Sequence, residues 1–442
     1  FVKFKLVSAN RNLHEVLSKL CLNLNISYEW RNLKYRTNDW QSARFFFDKL
    51  PYSLQALVTL LIHVRRNWAL RNTPKRDWFR GNNSIFFCSN FIHLDKESCE
   101  DGKFYTYLWN NLPELLHNNG IKTNFIQHYL ISNTAPNTNV AVDLIKKFNQ
   151  SKNTSDFHCF LYSYLSWNVI YKVLKLWLKF SYISWQLTDI KKSFSPSGTN
   201  FNLWPIMKKD WHVSMRGSAS IINYLWFELY DKALEVMPYQ SKGLFLCENQ
   251  SYERALIYAW NKHNHGELLA VAHSSIRFWD LRYYIDSRTI DSSQDYSVPK
   301  ADITVLNGNL AINAYREFGC FDNSFVECEA LRYNYLDKYQ PRLRREKKKE
   351  ESIKVLILGD YMPSATFKIL ELLEVSSINM QGKYIFTIKP HPNFIVKSSD
   401  FPMLKLEVTM NPLGEIMSEF DVAYSGNLTT AALDAYLAGL PV

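Results

Sequence analysis

The chain has 442 residues, 47% of them hydrophobic and 21% charged, a balance that predicts two or three globular domains and excludes a disordered protein. Its formal net charge of +10 indicates an anionic partner, such as a phosphate-bearing substrate, an anionic lipid surface or a nucleic acid. The sequence lacks zinc-finger spacing, an RNP signature and a helix-turn-helix pattern, so nucleic acid is not the predicted partner.

The seven cysteines are widely spaced and form no CxxC pair. This pattern predicts reduced thiols in a cytoplasmic protein rather than a disulfide framework or a structural zinc site. The chain opens at Phe1 without a signal-like segment and stops at a strand-like Leu-Pro-Val ending in Val442. We therefore expect a fragment, cut at both ends.

The first half of the chain predicts a β-α-β rhythm followed by helices. Strands are predicted at 84–95 and 123–132, with a helix at 105–118 between them. Residues 134–156 are rich in Asn, Thr, Ser and Lys and predict a loop. Helices are predicted to dominate 157–238.

One segment of this helical region is apolar enough to raise the question of membrane contact. The sequence contains no run of about 18 uncharged apolar residues, so no spanning helix is predicted. The most apolar segment, 162–187, carries Lys172, Lys175 and Lys179 on one helical face. A basic amphipathic helix of this kind fits an anionic membrane surface, and it equally fits a helix packed on the core with a solvated lysine face.

The rhythm of strands and helices returns at Gly243 and continues to the end of the chain. Strands are predicted at 244–247, 268–272, 303–306, 325–328, 354–358, 383–388, 404–408 and 421–424. Helices are predicted at 251–263, 310–318, from Pro363 onward, at 412–419 and at 428–438. The charged run 337–351 interrupts the series and predicts a domain linker, with a nucleic-acid patch as the alternative. Strands alternating with helices predict parallel, doubly wound sheets on both sides of this linker.

Two motifs follow strands of the C-terminal sheet. Lys389-Pro390-His391-Pro392 follows one strand, and Ser425-Gly426-Asn427-Leu428-Thr429-Thr430 follows a later one. Ligands of open α/β sheets bind at the carboxyl ends of the strands, and small hydroxyl residues before a helix favour a phosphate. The motifs therefore predict a nucleotide site, whereas an N-cap and a structural histidine are the alternative. The sequence lacks G-x-G-x-x-G and Walker A patterns, which excludes dinucleotide oxidoreductases and P-loop NTPases.

A second constellation follows two strands of the N-terminal half. Glu248 and Glu253 follow the strand at 244–247, and His273 and Asp280 follow the strand at 268–272. A carboxylate or histidine at this edge would serve as general base toward an acceptor hydroxyl. The alternative is an N-cap network in which arginines pair with the carboxylates.

The same part of the chain contains the runs CENQSYERALIYAW at 247–260, AVAHSSIRFWDLRYY at 270–284 and ECEALRY at 327–333. These runs resemble a family of bacterial surface-carbohydrate biosynthesis proteins found with O-antigen genes, over roughly 205–442. The C-terminal motifs are also similar to those of transferases that use CMP-activated acidic sugars, the sialyl-, polysialyl- and Kdo-transferases. The similarity implies donor contacts at His391, Pro392, Ser425, Thr429 and Thr430. Glu100-Asp101-Gly102 matches the acidic-acidic-Gly motif of those enzymes, which makes Asp101 the alternative base to Glu248 and Glu253.

The resemblance implies a GT-B-like α/β fold of two Rossmann-like domains with a helical insertion at 157–238. The expected domains are an acceptor-side unit at 1–336, a linker at 337–351 and a nucleotide-sugar-binding unit at 352–442. The expected activity is metal-independent glycosyl transfer, without a cofactor, from a nucleotide-activated and CMP-linked donor. The expected acceptor is a surface polysaccharide such as lipopolysaccharide, or a lipid-linked glycan, met by a cytoplasmic enzyme in peripheral contact with the inner membrane. A UDP-sugar 2-epimerase and a non-catalytic assembly partner are the alternatives.

Overall fold

The computed structural model describes most of the chain. The described residues are 3–32, 43–75, 77–151, 155–199, 201–273, 281–284, 286–289, 297–317, 324–338, 351–377, 383–391, 394–426 and 429–442. The first elements form a small unit in which two parallel strands flank a helix. They are β1 (Lys3–Val7), α1 (Arg11–Asn23) and β2 (Ser27–Arg31), followed by α2 (Ala43–Lys49) and α3 (Tyr52–Asn67).

A seven-stranded parallel sheet forms the centre of the first large unit. Its first part contains β3 (Ser84–Phe91), α4 (Lys96–Glu100), α5 (Leu112–Asn118), β4 (Lys122–Tyr129), α6 (Thr138–Gln150) and β5 (Asp156–Phe160). Three helices follow, α7 (Trp167–Gln186), α8 (Trp204–Met215) and α9 (Ser218–Val236). The sheet is completed by β6 (Lys242–Cys247), α10 (Ser251–Lys262), β7 (Glu267–Ala272), β8 (Ile303–Leu306), α11 (Asn309–Glu317) and β9 (Phe325–Glu327).

The strand order of this sheet is β5-β4-β3-β6-β7-β8-β9, and every pairing is parallel. The chain winds outward from β3 to one edge and then returns to β6, beside β3, to wind toward the other edge. The boundary between β3 and β6 is therefore a topological switch point, where the connections leave a crevice at the carboxyl ends of the strands.

A second, four-stranded parallel sheet lies C-terminal to residue 352. It contains β10 (Ile353–Leu358), α12 (Pro363–Ser377), β11 (Tyr384–Lys389), β12 (Glu407–Val408), α13 (Leu413–Ile416), β13 (Val422–Ser425) and α14 (Ala431–Leu437). Its order, β12-β11-β10-β13, has the same reversal, now between β10 and β13. The predicted α/β class with parallel sheets is confirmed.

Several predicted elements are wrong in detail. The predicted loop at 134–156 contains α6, because Ala141, Val142, Ile145 and Phe148 form a buried helical stripe hidden among polar residues. The predicted helical stretch 157–238 opens with β5, which pairs with β4. The predicted helix at 105–118 is shorter, at Leu112–Asn118.

The 3-10 segment Leu331–Lys338 connects the two large units. The carbonyl oxygen of Leu331 accepts a hydrogen bond from the Asn110 side chain at 3.1 Å, and Leu336 packs on the core beneath β10. Tyr335 donates a hydrogen bond to Asp434 of α14. Residues 339–350 of the predicted linker lie outside the described residues, and the domain division itself stays a prediction.

Candidate functional site

Three strands of the large sheet deliver ionisable side chains to its carboxyl edge. His93 follows β3, Glu248 follows β6 and His273 follows β7. The register aligns the last residues of β6 and β7, Cys247 and Ala272, as neighbours. Glu248 and His273 are therefore adjacent across the sheet, as the sequence pattern predicts, and His93 stands on the other side of the switch point.

Glu248 and His273 are joined by a hydrogen bond. The Glu248 Oε1 atom lies 3.1 Å from His273 Nε2, and Arg282 Nη1 approaches the other carboxylate oxygen at 3.8 Å. The hydrogen bond from His273 lowers the pKa of Glu248, so this half-exposed carboxylate is ionised at neutral pH. A carboxylate that already accepts a hydrogen bond and faces an arginine is a weak proton acceptor, so its geometry suits holding a ligand hydroxyl better than deprotonating it.

Glu253, the other carboxylate predicted after β6, is buried behind Glu248. Its side chain is only 2% exposed, and Oε1 accepts a hydrogen bond from the Glu248 backbone N–H at 2.9 Å. Burial raises the pKa of Glu253 to about 7. The side chain thus supports the turn that carries Glu248, at Asn249 with its positive φ of 54°, and does not face the crevice.

His93 was not among the predicted site residues, because the sequence pattern placed it inside a strand ending at 95. The strand ends at Phe91, and His93 has a φ of +55°, a backbone conformation uncommon for residues other than glycine. His93 is exposed at the end of β3, yet the surrounding protein removes part of the water around its imidazole and so lowers the pKa of His93, and Arg332, His273 and His391 lower it further. The imidazole is therefore neutral at physiological pH and is able to accept a proton.

His93 and His391 follow strands of different sheets, yet they lie close enough for their charges to interact. His391 follows β11, one strand from the switch point of the four-stranded sheet, and its ring meets Tyr361 edge-on with centroids 5.5 Å apart. Burial lowers the pKa of His391, the nearby Asp360 raises it, and Lys389 lowers it. Lys389 donates to the Met410 carbonyl at 3.2 Å, and burial lowers its pKa as well.

The strand ends of this sheet lie close together. Leu358 of β10 is aligned with both Lys389 of β11 and Ser425 of β13, so the two predicted motifs flank one strand end. A Cβ atom on Gly359 would stand 2.9 Å from the Pro390 Cα and 3.0 Å from the His391 nitrogen. Glycine at 359 is therefore what allows the histidine-bearing turn to approach β10.

The predicted hydroxyl cluster is only partly at a helix end. The helix α14 begins at Ala431, three residues later than predicted, so Ser425 and Gly426 lie at the end of β13 instead. Thr429 Oγ1 accepts from the Ala431 N–H at 3.4 Å, and Thr430 precedes the helix without a side-chain cap. A Cβ on Gly426 would meet only the Ile369 side chain, at 4.0 Å, so nothing among the described residues requires glycine there.

The remaining predicted residues lie elsewhere or cannot be placed. Asp280, Pro392 and Asn427 lie outside the described residues. Asp101 caps the end of α4 and is exposed beside Gly102, whose nearest neighbour is the Lys147 side chain on α6. The described hydrogen bonds of Asp101 run from its backbone N–H to the Glu97 and Cys99 carbonyls, within the end of α4 itself.

No family model matches the sequence, and no curated protein matches it. Among solved structures, the calicheamicin glycosyltransferase CalG4 is similar over 82% of this chain and 78% of its own, with a TM-score of 0.41 and 8% identity. The glycotransferase of kitacinnamycin is similar over 81% of this chain and 79% of its own, with a TM-score of 0.40 and 11% identity. Likeness at this level does not bear on activity, which has to be inferred from the site itself.

Proposed function

We propose that this chain is a glycosyltransferase that binds a nucleotide-activated sugar at the four-stranded sheet and a hydroxyl acceptor at the seven-stranded sheet. The observation that supports this proposal is that His93 lies within electrostatic range both of His273, the partner of Glu248 in its own sheet, and of His391 in the other sheet. Open α/β units bind ligands in the crevice at the carboxyl ends of their strands. In a crevice between two such units, one side can bind the donor and the other the acceptor.

The donor side supplies positive charge. Lys389 and His391 lie at the end of β11, and Arg332 stands between the two units, close enough to influence both His93 and Asp434. A departing nucleotide carries its new negative charge on a phosphate oxygen, and fixed cations facing that oxygen stabilise the transition state. We propose that these side chains, rather than a metal ion, offset the charge, so chelation by EDTA should leave the activity intact.

The acceptor side supplies the base. In the proposed reaction the acceptor oxygen bonds to the anomeric carbon while the bond from that carbon to the donor phosphate oxygen breaks. The acceptor hydroxyl proton passes to the neutral imidazole of His93. The ionised Glu248, held by His273, accepts a hydrogen bond from a second hydroxyl of the sugar acceptor and orients it.

The finer assignments rest on the sequence resemblance alone. We propose a CMP-linked donor, because the His-Pro and Ser/Thr motifs are similar to those of transferases that use CMP-activated acidic sugars. We propose a surface polysaccharide or a lipid-linked glycan as acceptor, and a cytoplasmic location, because three runs between 247 and 333 resemble surface-carbohydrate biosynthesis proteins.

The donor site is tested by His391→Ala in a thermal-shift panel of CMP, UDP, GDP and buffer. One nucleotide should raise the Tm of the parent, and the variant should lose most of this rise, since a hydrogen bond to a charged phosphate contributes about 1.5–3 kcal/mol. Because the pKa of His391 is lowered and a phosphate favours its charged form, the rise should be larger at about pH 6 than at about pH 8.

The control is His117→Ala, which removes an exposed histidine at the end of α5 and should retain the full rise. A nucleotide-induced rise that His391→Ala retains would move the donor site away from the end of β11. No rise with any nucleotide would refute the proposed function and favour a non-catalytic assembly partner.

Two glycines give a matched test of how closely the donor approaches the backbone. Gly359→Ala should lower the free energy of unfolding by about 1–3 kcal/mol, since its Cβ would meet backbone atoms at 2.9–3.1 Å. Gly426→Ala should fold with the parent's stability, because its surroundings leave room for a Cβ, yet bind the nucleotide roughly 10-fold more weakly. Urea denaturation and nucleotide titration measure the two effects, and unchanged nucleotide binding by Gly426→Ala would exclude a phosphate at Gly426.

A further inference from the structure

The helix α7 buries one face and leaves the opposite face uncovered. Val169, Val173 and Trp177 are buried at helical spacing, and α7 packs on α9 through this side. Five large side chains on the outward side are each between 61% and 72% exposed, namely Trp167, Tyr171, Leu178, Tyr182 and Trp185. Exposure of this much aromatic and apolar surface on one helix marks an interaction surface.

The exposed side chains are sorted by chemistry around the helix. At about 100° per residue, the five apolar and aromatic residues fall within one narrow stripe. Lys172, Lys175 and Lys179 form an adjacent exposed stripe on the same outward side. The helix contains no Asp or Glu between Trp167 and Gln186, and Lys172 lies 3.6 Å from Glu228 of α9.

Neighbouring residues extend this surface beyond the helix. The Trp167 ring meets the Trp68 ring with centroids 5.4 Å apart, and the Arg71 guanidinium stacks over Trp68 at 4.1 Å. Both added residues belong to the 3-10 segment Trp68–Asn72. We call the five aromatic and apolar residues, the three lysines, Trp68 and Arg71 the α7 outward face.

We propose that the α7 outward face binds the interface of an anionic lipid bilayer, with the helix lying in the membrane plane. Trp and Tyr side chains favour the headgroup level of a bilayer, and lysines beside them meet anionic headgroups while their aliphatic stems contact apolar surface. A second copy of the chain fits the α7 outward face less well, because its three lysines would face the same three lysines of the first copy and repel them. None of the helices in the described part of the chain combines the length and apolarity that crossing a bilayer requires.

The inference does not depend on the proposed function, and vesicle flotation of the whole chain tests it. We expect binding to phosphatidylcholine vesicles that contain phosphatidylglycerol, weaker binding at high salt, and little binding to pure phosphatidylcholine. Lys175→Glu/Lys179→Glu should lower the partition coefficient about 30-fold or more. Trp167→Ala/Trp185→Ala should lower it by at least about 10-fold and should reduce quenching of tryptophan fluorescence by brominated lipids.

Matched control pairs are available on the C-terminal unit and on other surfaces. Lys368→Glu/Lys397→Glu makes the same change in net charge at exposed positions, and Tyr239→Ala/Tyr436→Ala removes two exposed rings. Both pairs should bind vesicles as the parent does. Equal binding to neutral and anionic vesicles, equal losses in the control pairs, or self-association abolished by Trp167→Ala/Trp185→Ala without vesicle binding would each overturn the proposal.

Discussion

Replacing His93 with alanine is expected to lower kcat about 10²- to 10⁴-fold while leaving the nucleotide-induced rise in Tm unchanged. Partial desolvation and the nearby Arg332 lower the pKa of His93, so its imidazole is neutral and ready to accept the acceptor proton. It stands at the switch point of the large sheet, beside the edge that carries Glu248. The measurement is nucleotide release from the nucleotide sugar whose nucleotide stabilises the protein, with water or an added glycan as acceptor.

The pH profile separates a base from a structural histidine at this position. A base is active when deprotonated, so activity should fall as the pH drops through the pKa of His93, which lies below its ordinary value of 6.5. His93→Gln, which keeps a hydrogen-bonding group but cannot accept the proton, should be as slow as His93→Ala. His117→Ala serves as the control, as an exposed histidine distant from the site in sequence. Full activity in His93→Gln together with loss in Glu248→Gln would make Glu248 the base.

The sequence predicts the second half of the large sheet well. Short apolar runs bounded by glycine or polar residues correspond to β6, β7 and β8, because strands buried on both faces by helices need continuous apolar side chains. The same logic fails for α6, where Asn, Thr and Lys between the buried positions make an amphipathic helix resemble a loop by composition. The helical period of Ala141, Val142, Ile145 and Phe148 was the signal that composition concealed.

Site residues could be predicted from the sequence only where they directly follow a strand that the sequence itself identifies. Glu248 and His273 are paired because β6 and β7 are neighbours, which alternating strands and helices already imply. The sequence analysis did not identify His93 as a site residue. Its position depends on a strand that stops at Phe91 and on a left-handed backbone conformation, and neither feature can be recognised from composition. His93 also lies near His391 of the other sheet, and no local sequence pattern predicts that two residues so far apart in the chain come together.

The prediction for Glu253 also depends on tertiary context. From sequence it was a candidate base, yet the structure buries it beneath the turn at Glu248, where its carboxyl accepts backbone hydrogen bonds. Burial disfavours the charged carboxylate and raises the pKa of Glu253 from 4.5 to about 7. Polar residues that follow a strand look alike in sequence, whether the side chain faces the crevice or is buried behind the turn that lines it.

Glu253→Gln is therefore expected to stabilise the protein above neutral pH. Below about pH 4.5 the carboxyl is protonated in both the folded and the unfolded chain, so its burial adds no pH-dependent cost. Between about pH 4.5 and 7 the folded chain holds a proton that the unfolded chain has lost, so stability falls as the pH rises through this window. The loss amounts to about 3 kcal/mol above the folded pKa, and a neutral glutamine avoids it.

Urea denaturation at a series of pH values measures this difference in unfolding free energy between Glu253→Gln and the parent. The difference should be near zero at about pH 4.5 and should grow to about 3 kcal/mol in favour of the variant at about pH 8. Glu114→Gln, at an exposed position in α5, should show no such growth. A constant difference across the series would mean that Glu253 has the same pKa in the folded and the unfolded chain, as a solvated carboxylate does. It would then have to share the crevice with Glu248 as a second carboxylate, and the assignment of the base to His93 would need to be reconsidered.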